Sequence, residues 1–197
     1  MQRQRRDDRR RHDSPRSTSA CRQTVGQHRR TALLLQAEAC GRPLLVVVLQ
    51  KVNAVLDYDV EPARMRDLPE RARRAGAIVG ILTAPELRAP YDVVLVDAPC
   101  SGSGSWRRDP AGKWAITEAR LTALTAMQTE ILANAAPLVA LNGVLAYVTC
   151  SLLADENQDQ ITRFLQHFPD WRQQSRRQWT PLEGGDGFFL AILTRNT

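Results

Sequence analysis

Long apolar runs are missing from this 197-residue chain. The longest, residues 44–49, falls well short of the roughly 20 residues that a membrane helix requires, and has the length of a buried strand. Cysteine is scarce: four residues without regular spacing, which excludes a disulfide framework and fits a reduced, cytoplasmic chain. Histidine is scarcer still, with His12 and His28 near the N-terminus and His167 in a predicted helix. None is paired with a cysteine, so a thiol protease is a poor reading, and no metal is expected. No GxGxxG follows a strand, which speaks against a nicotinamide-dependent dehydrogenase. The basic N-terminus has no apolar segment behind it, so a secretory signal is not expected.

Charge is present but unevenly placed. Residues 1–30 hold ten arginines against Asp7, Asp8 and Asp13, so the whole net charge of +6 lies there and the remainder is close to neutral. Such an arm gains affinity for nucleic acid by counterion release, and it equally suits a solvated tail without a partner. Residues 1–32 have almost no apolar content and read as a disordered basic tail; residues 33–197 read as one catalytic domain.

Within that domain the pattern alternates. Residues 33–50 mix an Ala/Leu-rich piece with LLVVVL, and AVLDYD (54–59) reads as a strand ending in acid. Pro62 opens a helix expected to run to about Ala75 and stop at Gly76. Short strands follow at 78–82 and 92–97. Thr117 is a candidate N-cap for a helix whose stripe is Leu121, Leu124, Gln128, Ile131, Leu132, Ala135 and Leu138. Asn142-Gly143 should end that helix before a strand at 144–148. Asp155 is expected to cap another helix, carrying Ile161, Phe164, Leu165 and Phe168 to the core. GGDGFFLAIL (184–193) should enter a last, antiparallel strand at the sheet edge. The pattern predicts an α/β fold with a mostly parallel sheet.

Chemistry is concentrated where two strands end. YDVVLVD runs into APCSGSG, and GVLAYV runs into TCS, so Asp97, Cys100 and Cys150 belong at the carboxyl end of a sheet, where α/β proteins bind ligands. A thiolate is a strong nucleophile. A pyrimidine reacts at carbon 5 only after a nucleophile adds to carbon 6, with a donor near N3 to take up the developing charge. Asp97 can supply that donor. Buried cysteines also serve as small hydrophobes, and the residues alone leave both readings open.

DAPCSGSG (97–104), RRDPAGKW (107–114), YVTCSLLADEN (147–157) and EGGDGFFLAIL together resemble the RsmB/Sun family of RNA cytosine-5 methyltransferases, over about residues 54–195. The resemblance implies a Rossmann-like S-adenosylmethionine-dependent methyltransferase fold acting on RNA, with 16S ribosomal RNA as the expected partner. It implies Cys150 as nucleophile, Cys100 as the residue assisting product release, and Asp97 on the cytosine ring near the donor. Asp59, in YDVEPARM, is implied to accept from the donor's ribose hydroxyls, a task that suits a carboxylate. Lys113, Trp114, Arg107 and Arg108 are weaker candidates for RNA contacts, with a loop-covering Trp and solvated arginines as the competing readings. Asp155, Glu156 and Asn157 are expected to cap and orient a helix, and Asp186 to serve the turn. A monomer is expected.

The chain also departs from the family. The glycine-rich donor loop, roughly DLCAAPGGKT, has no counterpart, since upstream of Asp59 the only glycines are Gly26 and Gly41. Backbone without glycine does not easily take the tight conformations that press it against a ligand. Lys51 is no convincing substitute. The third strand lacks the family's acid, with Glu86 as a candidate replacement. Residues 1–53 therefore read as foreign to the family, as a frameshift or misassigned start would leave them. The N-terminal part of the fold is expected to be incomplete, with residues 44–49 filling in for a first strand. An inactive relative that at most binds RNA is the alternative to a working enzyme.

Overall fold

A computed structural model describes residues 31–36 and 54–195. Seven strands form one sheet: β1 Thr31–Gln36, β2 Ala54–Asp59, β3 Val79–Ile81, β4 Tyr91–Asp97, β5 Val139–Thr149, β6 Trp171–Trp179 and β7 Phe188–Arg195. Their order is β3-β2-β1-β4-β5-β7-β6. The first five run parallel, and β7 lies antiparallel between β5 and β6. The chain moves outward from β1 to β3 and then crosses back to β4 on the other side. The switch point is therefore the crevice between β1 and β4, where an open α/β sheet takes its ligand. The expected filler strand at 44–49 and Lys51 lie outside the described residues. So do His12, His28 and the basic tail through residue 30. The central place is taken by β1, which starts at Thr31, two residues ahead of the expected domain boundary.

The core follows from strand alternation. Val94 and Val96 of β4, Leu145 and Tyr147 of β5, and Phe189, Ala191 and Leu193 of β7 are buried in one cluster, whereas Leu95, Ala146 and Val148 point the other way. Beyond the short helix α2, Pro110–Ala115, helix α3, Glu118–Ala135, buries Leu124, Gln128, Leu132 and Ala135, at the spacing of a single helical stripe. Helix α4, Gln158–His167, adds Ile161 and Phe164, and Phe164 meets Trp171 edge-to-face. Thr117 caps α3 as the sequence predicts, accepting from the Arg120 N–H at 3.2 Å.

Four boundaries differ from the sequence reading. The helix expected from Pro62 is broken into a 3-10 turn, Pro62–Met65, and α1, Leu68–Arg74. Pro69 explains the break, because it has no N–H to offer the preceding turn. Helix α3 ends at Ala135 rather than Asn142, since Pro137 cannot continue it. β5 then starts at Val139 and absorbs Asn142, in the left-handed region at φ 64°, as an irregularity. β7 is not the edge strand: it is covered by β6, whose sequence WRQQSRRQW lacks apolar alternation and suits an edge open to water. Finally, Asp155 sits in a 3-10 turn, and Asn157 takes the N-cap position of α4 without a side-chain capping bond.

Candidate active site

The register of β4 on β5 pairs Asp97 with Val148, so the two chains leave the sheet side by side. Ala98 N–H still donates to Val148 O at 3.0 Å, and Gly104 N–H to Cys150 O at 2.9 Å. The loops are thus zipped together beyond the strands. As a result Cys100 Sγ lies 3.3 Å from Cys150 Sγ. Neither cysteine is in a disulfide; Cys150 is 8% exposed and Cys100 half-buried. Fifty residues apart in sequence, they meet as their matched strand ends predict.

The buried carboxylate of Glu156 fixes the residues that follow both cysteines. It accepts from Ser101 N–H (2.8 Å), Ser101 Oγ (2.5 Å), Ser151 Oγ (2.5 Å) and Gln128 Nε2 (3.2 Å). Gln128 Nε2 also donates to Pro99 O at 2.7 Å, tying α3 to the Cys100 loop. Ser103 Oγ meets Ser151 Oγ and accepts the Leu152 N–H. Asn157 Nδ2 donates to Ser151 O at 2.9 Å, and Thr149 Oγ1 to Asn157 Oδ1 at 2.6 Å. A buried polar network satisfied at this density specifies one arrangement of its loops. Gly104 and Gly187 pack backbone to backbone, with Gly187 N–H donating to Gly104 O, and a Cβ on Gly104 would strike the Gly187 carbonyl.

Asp97 stands differently. Its side chain makes no hydrogen bond among the described residues, and burial alone raises its pKa from 3.8 to about 6. Through β1, Asp97 is level with Asp59, because Gln36 is in register with both. Asp59, 3% exposed, accepts the Glu61 N–H at 2.7 Å and lies 3.7 Å from the Arg64 guanidinium, both through Oδ1. Its Oδ2 has no partner among the described residues. Asp57, deeper in β2, is also raised to about 6, by burial first and by the neighbouring Asp59 charge as well.

The structure therefore brings Asp97, Cys100 and Cys150 to one sheet end and sets Asp59 across β1 from Asp97. It reassigns several weaker candidates. Arg108 is committed to Asp186, with Nε–Oδ1 at 2.9 Å and Nη2–Oδ2 at 2.5 Å, so Asp186 does more than shape a turn. Trp114 is 82% exposed and covers no loop; Lys113 Nζ lies 5.6 Å from its ring. Arg107 is exposed, and Glu86 lies in a 3-10 turn after β3. Glu156, Gln128 and the serines beside the cysteines were missed as the fastening of the site. A glutamine on an otherwise apolar helical stripe was the signal for Gln128.

Residues 39–194 match the family described as 16S rRNA methyltransferase RsmB/F. The match reaches back to residue 39, further than the motifs that begin near residue 54. The chain is 34% identical over 170 residues to ribosomal RNA small subunit methyltransferase B of Photorhabdus laumondii, covering 79% of this chain and 40% of that protein. It is 37% identical over 137 residues to the probable ribosomal RNA small subunit methyltransferase B of Synechocystis, covering 59% and 30%. It thus spans well under half the length of these curated relatives. Among solved structures it is similar to PH0851 (TM-score 0.75, 30% identity, 85% of this chain and 43% of that one). It shares its fold with NSun6 from Pyrococcus horikoshii solved with SFG (TM-score 0.69, 21% identity, 84% and 48%).

Proposed function

The chain belongs to the 16S rRNA methyltransferase RsmB/F family, and we propose that it transfers a methyl group from S-adenosylmethionine to carbon 5 of a cytosine in ribosomal RNA. The observation that carries this reading is the meeting of Cys100 and Cys150 at 3.3 Å beside a half-buried, raised Asp97. A single nucleophile would need only one thiol. An addition–elimination needs a group to attack and a group to assist departure, and two adjacent thiols support that reading.

Cys150, as thiolate, adds to carbon 6 of the ring, and the electron pair displaced from the 5,6 double bond runs toward N3. Asp97, with a pKa near 6, retains a protonated fraction close to neutrality and donates to the N3 side. Carbon 5 becomes nucleophilic in consequence. S-adenosylmethionine, when bound, supplies the electrophilic methyl group. Release requires loss of the carbon 5 proton as the bond from carbon 6 to sulfur breaks and the ring double bond reforms. Cys100, next to the departing sulfur, is the group we assign to that step. Asp59 fits the donor's ribose: a buried carboxylate at the end of β2, beside the switch point, with Oδ2 available to hydroxyls.

The alternative, a silent relative that binds RNA, draws on residues 37–53, which contain Gly41 as their only glycine. One experiment separates the two readings. The full chain is incubated with an unmodified 16S rRNA transcript carrying 5-fluorocytosine and with S-adenosylmethionine. A denaturation-stable protein–RNA adduct is expected, lost in Cys150→Ala and accumulating with ordinary cytosine in Cys100→Ala. Absence of any adduct from the folded wild-type chain would overturn the enzymatic reading.

A further inference from the structure

A second concavity adjoins the thiol loops. A cleft of about 560 Å³ lies beside β6, lined by Leu152, Gln158, Arg176, Arg177 and Phe189, with Gln178 and Thr180 at its wall. Its volume falls in the range of small-molecule sites. Leu152 follows Cys150 by two residues, so their Cα atoms are at most about 7 Å apart. The wall is fastened to the thiol loop: Gln178 Nε2 donates to Ser151 O at 3.1 Å and to Phe188 O at 3.2 Å, while its Oε1 accepts from Asn157 Nδ2 at 3.1 Å.

The lining is cationic and contains no carboxylate. Arg176 and Arg177 are exposed, and neither has an ion pair among the described residues. Arg177 lies over the Trp179 ring at 4.7 Å, which presents its guanidinium as a flat, oriented donor. The Gln158 amide likewise has no partner among the described residues, and Leu152, 38% exposed, offers an apolar face. Arg108, which the sequence offers for phosphate contact, is instead engaged by Asp186. Guanidinium donors for phosphate, an open amide for a base edge and an apolar face for a base are the means by which proteins hold single-stranded RNA.

The geometry points to a subsite in this cleft for the nucleotide adjoining the cytosine in single-stranded RNA, its phosphodiester held by Arg176 and Arg177. The inference rests on the RNA-methyltransferase reading above. It places a phosphate contact at the β6 edge, and it makes the hydrogen bond from Gln178 to Ser151 O the link between the flanking nucleotide and the thiol loop.

The test uses the full chain and fluorescent single-stranded RNA with one cytosine, in versions with a neutral methylphosphonate at each flanking linkage in turn. Wild type should lose about tenfold in affinity at one of those linkages. Arg176→Gln/Arg177→Gln should bind the unmodified RNA about tenfold more weakly and be indifferent to the methylphosphonate. Its salt slope should fall by about 0.7, the contribution of one neutralised single-strand phosphate. Arg172→Gln, on the same strand but outside the cleft, should retain the wild-type response. Additive losses from the double variant and the methylphosphonate, or an unchanged salt slope, would overturn the subsite. A wild-type 5-fluorocytosine adduct alongside that result would show that only the subsite has failed. Its absence would sink the parent reading instead.

Discussion

The two sides of the β1–β4 crevice are built on different plans. On the β4–β5 side, nearly every polar group near the cysteines is engaged by another protein group, with Glu156 accepting four donors from three segments. On the β1–β2 side, Asp59 holds one N–H of its own loop and a distant guanidinium, and Asp97, between the two sides, holds nothing among the described residues. The thiol geometry is therefore fixed before any ligand arrives. The β1–β2 side keeps acceptors in reserve, as a side awaiting the methyl donor would on the proposed reading. Damage to the first side should appear as lost stability, and damage to the second as lost affinity.

The largest effect is expected at Glu156. Its replacement by alanine leaves two hydroxyls, a backbone N–H and an amide buried without their acceptor, and each such orphan costs about 1–3 kcal/mol. Urea unfolding of Glu156→Ala should show a loss of about 4 kcal/mol or more. Glu156→Gln keeps the volume and one acceptor, and the serine hydroxyls can rotate to accept from its amide. It should lose about 1–2 kcal/mol. If alanine costs no more than glutamine, the network does not hold the loops.

Glycines sharpen the same contrast. Gly104→Ala drives a methyl into the Gly187 backbone, while a Cβ at Gly185, two residues from that contact, meets nothing within 4 Å. The first should cost about 2–3 kcal/mol, as overpacking against backbone does, and slow alkylation of Cys150 by displacing its loop. The second should stay within about 0.5 kcal/mol of wild type. Equal stabilities would show that the two loops separate freely.

On the donor side, Asp59→Ala should weaken S-adenosylmethionine binding at least tenfold by calorimetry, about 1.4 kcal/mol, with a smaller loss of fold stability from the one bond to Glu61. A stability loss larger than the binding loss would place Asp59 with the structural residues and erase the contrast.

How much of this was legible in the sequence follows from the same division. Strands β2 to β5 and helices α3 and α4 could be read because burial imposed periodic apolar residues on them. β6 could not be read, because an edge strand of arginine and glutamine carries no such imprint. The cysteine pair was visible because two strand ends repeat one design, a buried run into a small-residue loop. Glu156 was read only as a helix-start residue. Three of its four donors lie 28 or 55 residues away, and no local pattern encodes contacts at that separation. The pairing of Arg108 with Asp186 is hidden for the same reason, the two being 78 residues apart.

Asp57 and Asp97 give the finest comparison, because burial raises both from 3.8 to about 6, one within β2 and one at the end of β4, three residues before Cys100. The sign follows from proton counting. Between pH 3.8 and 6 the unfolded chain has ionised these carboxyls while the folded chain still holds their protons, so stability falls as pH rises through that window and levels off above it. Asp57→Asn removes one of the two slopes. It should gain about 1 kcal/mol on wild type at pH 8 and nothing at pH 4, the gain being limited because a buried amide also needs partners. Asp97→Asn should flatten the stability profile similarly, but it alone should alter adduct formation. In wild type, adduct formation should decline above pH 6 as the proton offered to N3 is lost. An asparagine amide donates at every pH and should remove that decline. If Asp57→Asn shifts the adduct profile as Asp97→Asn does, the raised pKa of Asp97 is a consequence of sheet burial alone and has no part in the chemistry.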